Sequence, residues 1–249
     1  MAICLDRVLA KLDGYFAEND IKSAERHLDY WYAEAQAEGN LHALFTLTNE
    51  LIGLHRKQGN REKALDYSRK ILELCRKMEL ENTVSGATAF INAATACKAF
   101  GHGEEALPLF VKAKKIYEEK LEKNDARLGG LYNNMGLALC DTGDFQGASR
   151  LYRQALAVMK NREDGQPDAA VTCLNMADAA EQEKGFAAAE EEIAALLQEA
   201  RNLLDSVRDR RDGYYAFVCE KCAPAYHYYG DTAYEKELKE RSANIYEGT

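Results

Sequence analysis

Proline is nearly missing from this chain, with three residues in 249, and tryptophan occurs once. So few helix breakers argue against a loop-rich or disordered chain and leave long helices as the economical backbone solution. Long apolar runs are missing as well. No stretch approaches the roughly 20 uncharged residues that a membrane helix needs, and Met1 to Lys11 lacks the apolar core of a signal peptide. A cytoplasmic location without membrane insertion is therefore expected. Positive charge is in deficit, 32 Lys and Arg against 41 Asp and Glu, for a formal net charge of −9. A nucleic-acid backbone would be repelled, and no basic run offsets the repulsion. The seven cysteines, spread from Cys4 to Cys222, form no disulfide framework and read as reduced thiols.

Signatures of catalysis are also missing. There is no HExxH, GxSxG or Walker A loop, and the five histidines, at 27, 42, 55, 102 and 227, share no motif. Neither an enzyme nor a cofactor is expected. Gly101-His102-Gly103-Glu104-Glu105-Ala106 spells GxGxxA, but a dinucleotide site needs a strand before it, and helical sequence lies on both sides. The Cys219 and Cys222 pair has no second pair to complete a four-coordinate zinc site, and core packing is the simpler reading. Glu190, Glu191 and Glu192 point about 100° apart on a helix, so they form a solvated face rather than an acid/base pair.

What the chain does have is a repeat. Turn glycines at Gly59, Gly101 and Gly143 are each 42 residues apart, and Ala64, Ala106 and Ala148 follow them at a constant five. The next unit lags by one residue, so Phe145 and Ala148 recur as Phe186 and Ala189. Six helix-turn-helix units result, at about 1–39, 40–80, 81–124, 125–165, 166–210 and 211–249, in a single domain. Gly59-Asn60, Gly101-His102, Gly143-Asp144 and Gly230-Asp231 suit the turns, because they tolerate positive φ where one helix stops and the next begins. Small residues at Ala94, Gly136, Ala177 and Ala223 let paired helices approach closely, while Phe90, Phe110, Tyr132 and Tyr152 fill the space between units. Pro224 is expected in mid-helix, removing a hydrogen bond and kinking it.

Tyr132-Asn133-Asn134-Met135-Gly136, Gly143-Asp144-Phe145 with Ala148, Glu105 to Phe110, and Pro167-Asp168-Ala169 together resemble tetratricopeptide repeats, in particular the longer repeats of kinesin light chains. The resemblance covers residues 40 to 205 well. It implies an all-α superhelical solenoid whose first helix of each hairpin (helix A) lines a concave groove holding a protein or peptide.

Asn92, Asn134 and Asn175 share one position on helix A, nine residues before the turn position of their units. An amide that both donates and accepts matches the alternating groups of an extended peptide. The alternative is that these asparagines cap or bridge neighbouring helices. Asn49, Asn133, Arg56, Lys98, Asp178 and Lys221 fall at neighbouring groove offsets, a lining of mixed sign. Seven of the 14 tyrosines lie in the last 38 residues. They serve either the terminal core or an interface, so a homodimer through the last unit is the alternative to a groove-binding adaptor.

Overall fold

The computed structural model describes residues 3–248. Twelve α-helices and no strand occur among the described residues. They pair as hairpins: α1 (Leu5–Ala17) with α2 (Ile21–Glu38), α3 (Leu41–Lys57) with α4 (Arg61–Lys77), and α5 (Val84–Ala99) with α6 (Gly103–Lys120). Then come α7 (Ala126–Asp141) with α8 (Phe145–Lys160), α9 (Gln166–Lys184) with α10 (Phe186–Asp205), and α11 (Gly213–Tyr228) with α12 (Thr232–Glu247). The all-α hairpin repeat expected from the sequence is the observed fold. The helices form two compact units, Met1–Leu121 and Glu122–Thr249.

Turn chemistry explains most of the boundaries. Gly143 takes φ 81°, which ends α7, and the Asp144 side chain then accepts from the Gly147 amide at 2.8 Å to cap α8. Asn60, Thr83, Asp212 and Asp231 cap α4, α5, α11 and α12 in the same way. The turn of the fifth hairpin is shorter. Only Gly185, at φ 80°, separates α9 from α10, and no side chain caps the second helix. GxGxxA is confirmed as the turn between α5 and α6.

In the first unit, Val8, Leu12, Leu28, Leu47, Leu51 and Leu54 share one buried cluster, with Trp31 half-buried against it. In the second, Leu174, Ala177, Ile193, Leu204, Tyr215, Val218, Tyr226 and Leu238 form another. Close approach depends on smallness where the sequence placed it. A methyl group on Gly136 of α7 would lie 2.6 Å from Cε1 of the buried Tyr152 ring on α8. Ala94, Ala177 and Ala223 are fully buried at the equivalent places.

The C-terminal tyrosines divide. Tyr215, Tyr226 and Tyr234 are buried, whereas Tyr214 and Tyr228 stay exposed on α11. Cys219 and Cys222 are buried on that helix, and burial pushes their thiols up to about 11 and about 12. Among the described residues no group of three His, Cys, Asp or Glu side chains is placed to hold a metal ion, and no helix is long and apolar enough to cross a membrane.

Candidate functional site

The asparagines fall into two cross-helix pairs, one in each unit. In the first unit Asn92 on α5 donates to the Asn49 carbonyl oxygen on α3 at 2.9 Å, and Asn49 in turn donates to the Phe45 backbone carbonyl at 3.0 Å. In the second, Asn175 on α9 donates to Asn133 on α7 at 3.0 Å. Each bond joins the first helices of successive hairpins. Asn134 holds the same donor position on α7, is half-buried, and makes no side-chain hydrogen bond among the described residues. Asn92 and Asn175 therefore bridge helices, while Asn134 keeps its amide open.

This arrangement predicts a split in stability. Asn92→Ala or Asn175→Ala removes the donor from a partly buried carbonyl oxygen and is expected to cost about 1 kcal/mol. Asn134→Ala should leave stability within about 0.5 kcal/mol. Urea denaturation of the three variants decides it, and equal losses at all three positions would contradict the pairing.

The remaining candidates are dispersed. Arg56 near the end of α3 is half-buried and has no ion-pair partner among the described residues, so burial draws its pKa down. Glu50, which takes the ladder position on α3, has its carboxyl pushed up by burial and by Asp13. Lys98 is half-buried on α5. Asn175, Asp178 and Lys221, by contrast, come together in the second unit.

They border an open pocket of about 320 Å³ between α9 and α11. Val171 and Leu174 of α9 face Pro224 and Ala225 of α11 across it, with Tyr228 and Tyr229 at one end. α11 continues unbroken through Pro224. Because proline carries no N–H, the Glu220 carbonyl one turn back lacks its helical donor. Two tyrosine–carboxylate links tie the helices together on either side of the pocket. The Tyr214 hydroxyl donates to Asp168, and the hydroxyls of Tyr228 and Tyr229 donate to Glu181 at 2.8 and 2.9 Å. Desolvation and Glu181 raise the Tyr229 phenol, so it stays protonated and able to donate. Phe186 stacks on Tyr229 with centroids 6.4 Å apart.

The sequence reading did not single out Phe217 or Tyr228 as groove residues. Tyr214, Phe217, Lys221, Pro224 and Tyr228 recur at intervals of three and four, which is one face of a helix. That face is turned outward, and the rings of Tyr214, Phe217 and Tyr228 are 45%, 36% and 68% exposed. The spacing was visible in the sequence, but an apolar helical stripe ordinarily signals core rather than surface.

Residues 43–119 and 129–161 match tetratricopeptide-repeat family profiles. The chain carries tetratricopeptide repeats. No curated protein matches this tetratricopeptide-repeat chain by sequence. Among solved structures, BtubC from P. vanneervenii superposes with a TM-score of 0.67 at 20% identity, covering 83% of this chain and 82% of that one. A kinesin light chain protein of Podosopora anserina with nearly identical TPR-like repeats gives a TM-score of 0.55 at 18% identity, covering 80% and 92%. NprR in complex with its cognate peptide NprX gives 0.57 at 14% identity, covering 99% of this chain and 71% of that one. Likenesses this remote in sequence speak for the fold.

Proposed function

We propose that this tetratricopeptide-repeat protein is a binding scaffold, and that the groove between α9 and α11 holds a segment of a partner protein or a free peptide. The observation that carries this reading is the α11 face. Three aromatic rings and a proline stand outward there beside a 320 Å³ pocket with apolar walls. Interfaces concentrate aromatic side chains of this kind, because a large rigid ring adds contact area at little entropic cost. The Asn175 amide at the pocket edge supplies polar contact for a backbone. NprR, a structure of similar fold, holds a peptide, which supports the reading by analogy of fold.

A partner need not be known to test it. A library of 12-residue peptides displayed on phage is selected on the wild-type chain, and the enriched peptides are measured on wild type and on Tyr228→Ala. The ring is 68% exposed and Tyr229 keeps its own bond to Glu181, so the variant should keep its melting temperature. Removing this aromatic contact should weaken binding about tenfold, about 1.4 kcal/mol. Enriched peptides that bind both proteins equally would place the site elsewhere.

A further inference from the structure

Charge is divided very unevenly between the two units. Glu122–Thr249 holds 23 of the 41 carboxylates but only 15 of the 32 cations, so it carries −8 of the formal −9. The first unit is nearly neutral. Within the second unit, α9 contributes Asp168, Asp178, Glu181 and Glu183 against the single cation Lys184.

The groove sits inside this negative field. Asp168 and Glu181 anchor the two tyrosine links, thirteen residues apart on α9, or about 20 Å along a helix. Asp178 and Lys221 lie between them on opposite walls. The exposed faces of Tyr214, Phe217 and Tyr228 carry the negative quadrupole that attracts cations. The Glu220 carbonyl, left without a helical donor by Pro224, adds one more acceptor on α11. Apolar floor, aromatic faces and carboxylates form one strip.

We propose that the occupant of the α9–α11 groove is a cationic segment, an extended peptide with an apolar side chain at its centre and lysine or arginine on either side. The proposal rests on the groove reading given above and adds the chemistry of the partner. The apolar side chain enters between Val171, Leu174 and Pro224. The flanking cations lie over the tyrosine faces and near Asp168 and Glu181. About 20 Å of groove takes roughly six extended residues. The same charge argues against a second copy of this chain on the face, since two units of −8 would repel at each approach.

Three fluorescein-labelled 12-residue peptides share one Leu-Phe-Leu centre and carry lysine and arginine, glutamine, or glutamate on both flanks. Their binding to the full chain is followed by polarisation, with amide chemical shifts locating the contact. The cationic peptide is expected to bind at least tenfold more tightly than the acidic one, with shifts at Asn175, Asp178 and Tyr228. Its advantage should shrink to about twofold in 0.5 M salt. Asp168→Asn, Asp178→Asn and Glu181→Gln together keep oxygens that accept the tyrosine hydroxyls, and should remove most of the preference without loss of melting temperature. Equal binding of all three peptides at those residues overturns the cationic partner and leaves the groove standing. Binding of none, or shifts confined to another surface, overturns both. Sedimentation showing a dimer that Tyr228→Asp dissociates assigns the face to a second copy and also overturns the proposal.

Discussion

Gly86→Ala is expected to destabilise the first unit by about 3 kcal/mol, the upper end of ordinary overpacking. A Cβ at Gly86 would lie 2.0 Å from the Leu80 carbonyl oxygen and 2.8 Å from its carbon. A side chain in that place could rotate away, but this is backbone held by its own turn. The Leu80 oxygen accepts from the Thr83 amide at 2.9 Å and from the Thr83 hydroxyl at 2.8 Å, and that hydroxyl caps α5 at the Gly86 amide. Relief of the clash therefore opens the turn and the cap together. Gly136→Ala, which meets the Tyr152 ring at 2.6 Å, should cost about 1–3 kcal/mol, and Gly136→Leu more. Gly14→Ala has nothing within 4 Å and should stabilise by up to about 1 kcal/mol. Trp31 is the single tryptophan and belongs to the first unit, so its fluorescence during urea denaturation reads Gly86 and Gly14 directly. Tyrosine signals in near-ultraviolet circular dichroism follow Gly136. A Gly86→Ala midpoint no lower than that of Gly14→Ala would contradict the packing of the turn before α5 against that helix.

Arg241→Met should cost the second unit about 2 kcal/mol, although most of the side-chain volume is kept. Its guanidinium donates to Asp205 at 2.6 Å, to the Tyr215 hydroxyl at 3.0 Å and to Glu237, and it lies 5.5 Å from the centre of the Tyr234 ring. Asp205 also accepts from the Tyr234 hydroxyl at 2.9 Å. This cluster fastens α12 to α10 and α11 and closes the last hairpin. Breaking a fully buried pair costs about 3–5 kcal/mol, and the partial exposure of Asp205 reduces that. Arg241→Lys, which loses the planar fork, should recover less than half. Loss of α12 protection in hydrogen exchange, with α7 to α9 unchanged, is the accompanying signature. A midpoint unmoved by Arg241→Met would show the network to be dispensable.

The turns were the most legible part of the fold. Gly59, Gly101, Gly143 and Gly230 all take positive φ, as expected of glycines that separate two helices without a side-chain penalty. Small residues at Ala94, Gly136, Ala177 and Ala223 were legible for the same kind of reason, since close approach of helices excludes bulk at fixed places. The asparagines were harder. Periodicity places Asn92, Asn134 and Asn175 alike, yet their partners depend on the preceding residue of the previous repeat. Asn49 and Asn133 can accept there, but apolar Ile91 occupies the equivalent position in the third hairpin. What separates the bridging residues from Asn134 is a second asparagine at the preceding position of the previous repeat, Asn49 for Asn92 and Asn133 for Asn175.

By itself the sequence determined the helix-turn-helix period, the turn chemistry, the small-residue seams and the negative charge. Each of these follows from local backbone preference or from a position that recurs with the repeat. Only the tertiary structure decided which side of each helix is left uncovered. Tyr214, Phe217 and Tyr228 share a helix with the buried Tyr215 and Tyr226, and as residue types they cannot be told apart. Their fates differ because α10 and α12 cover Tyr215 and Tyr226, while the side carrying Pro224 has only α9 beside it, across an open pocket. Burial is a property of the neighbouring element, and the neighbour is not written in the helix itself.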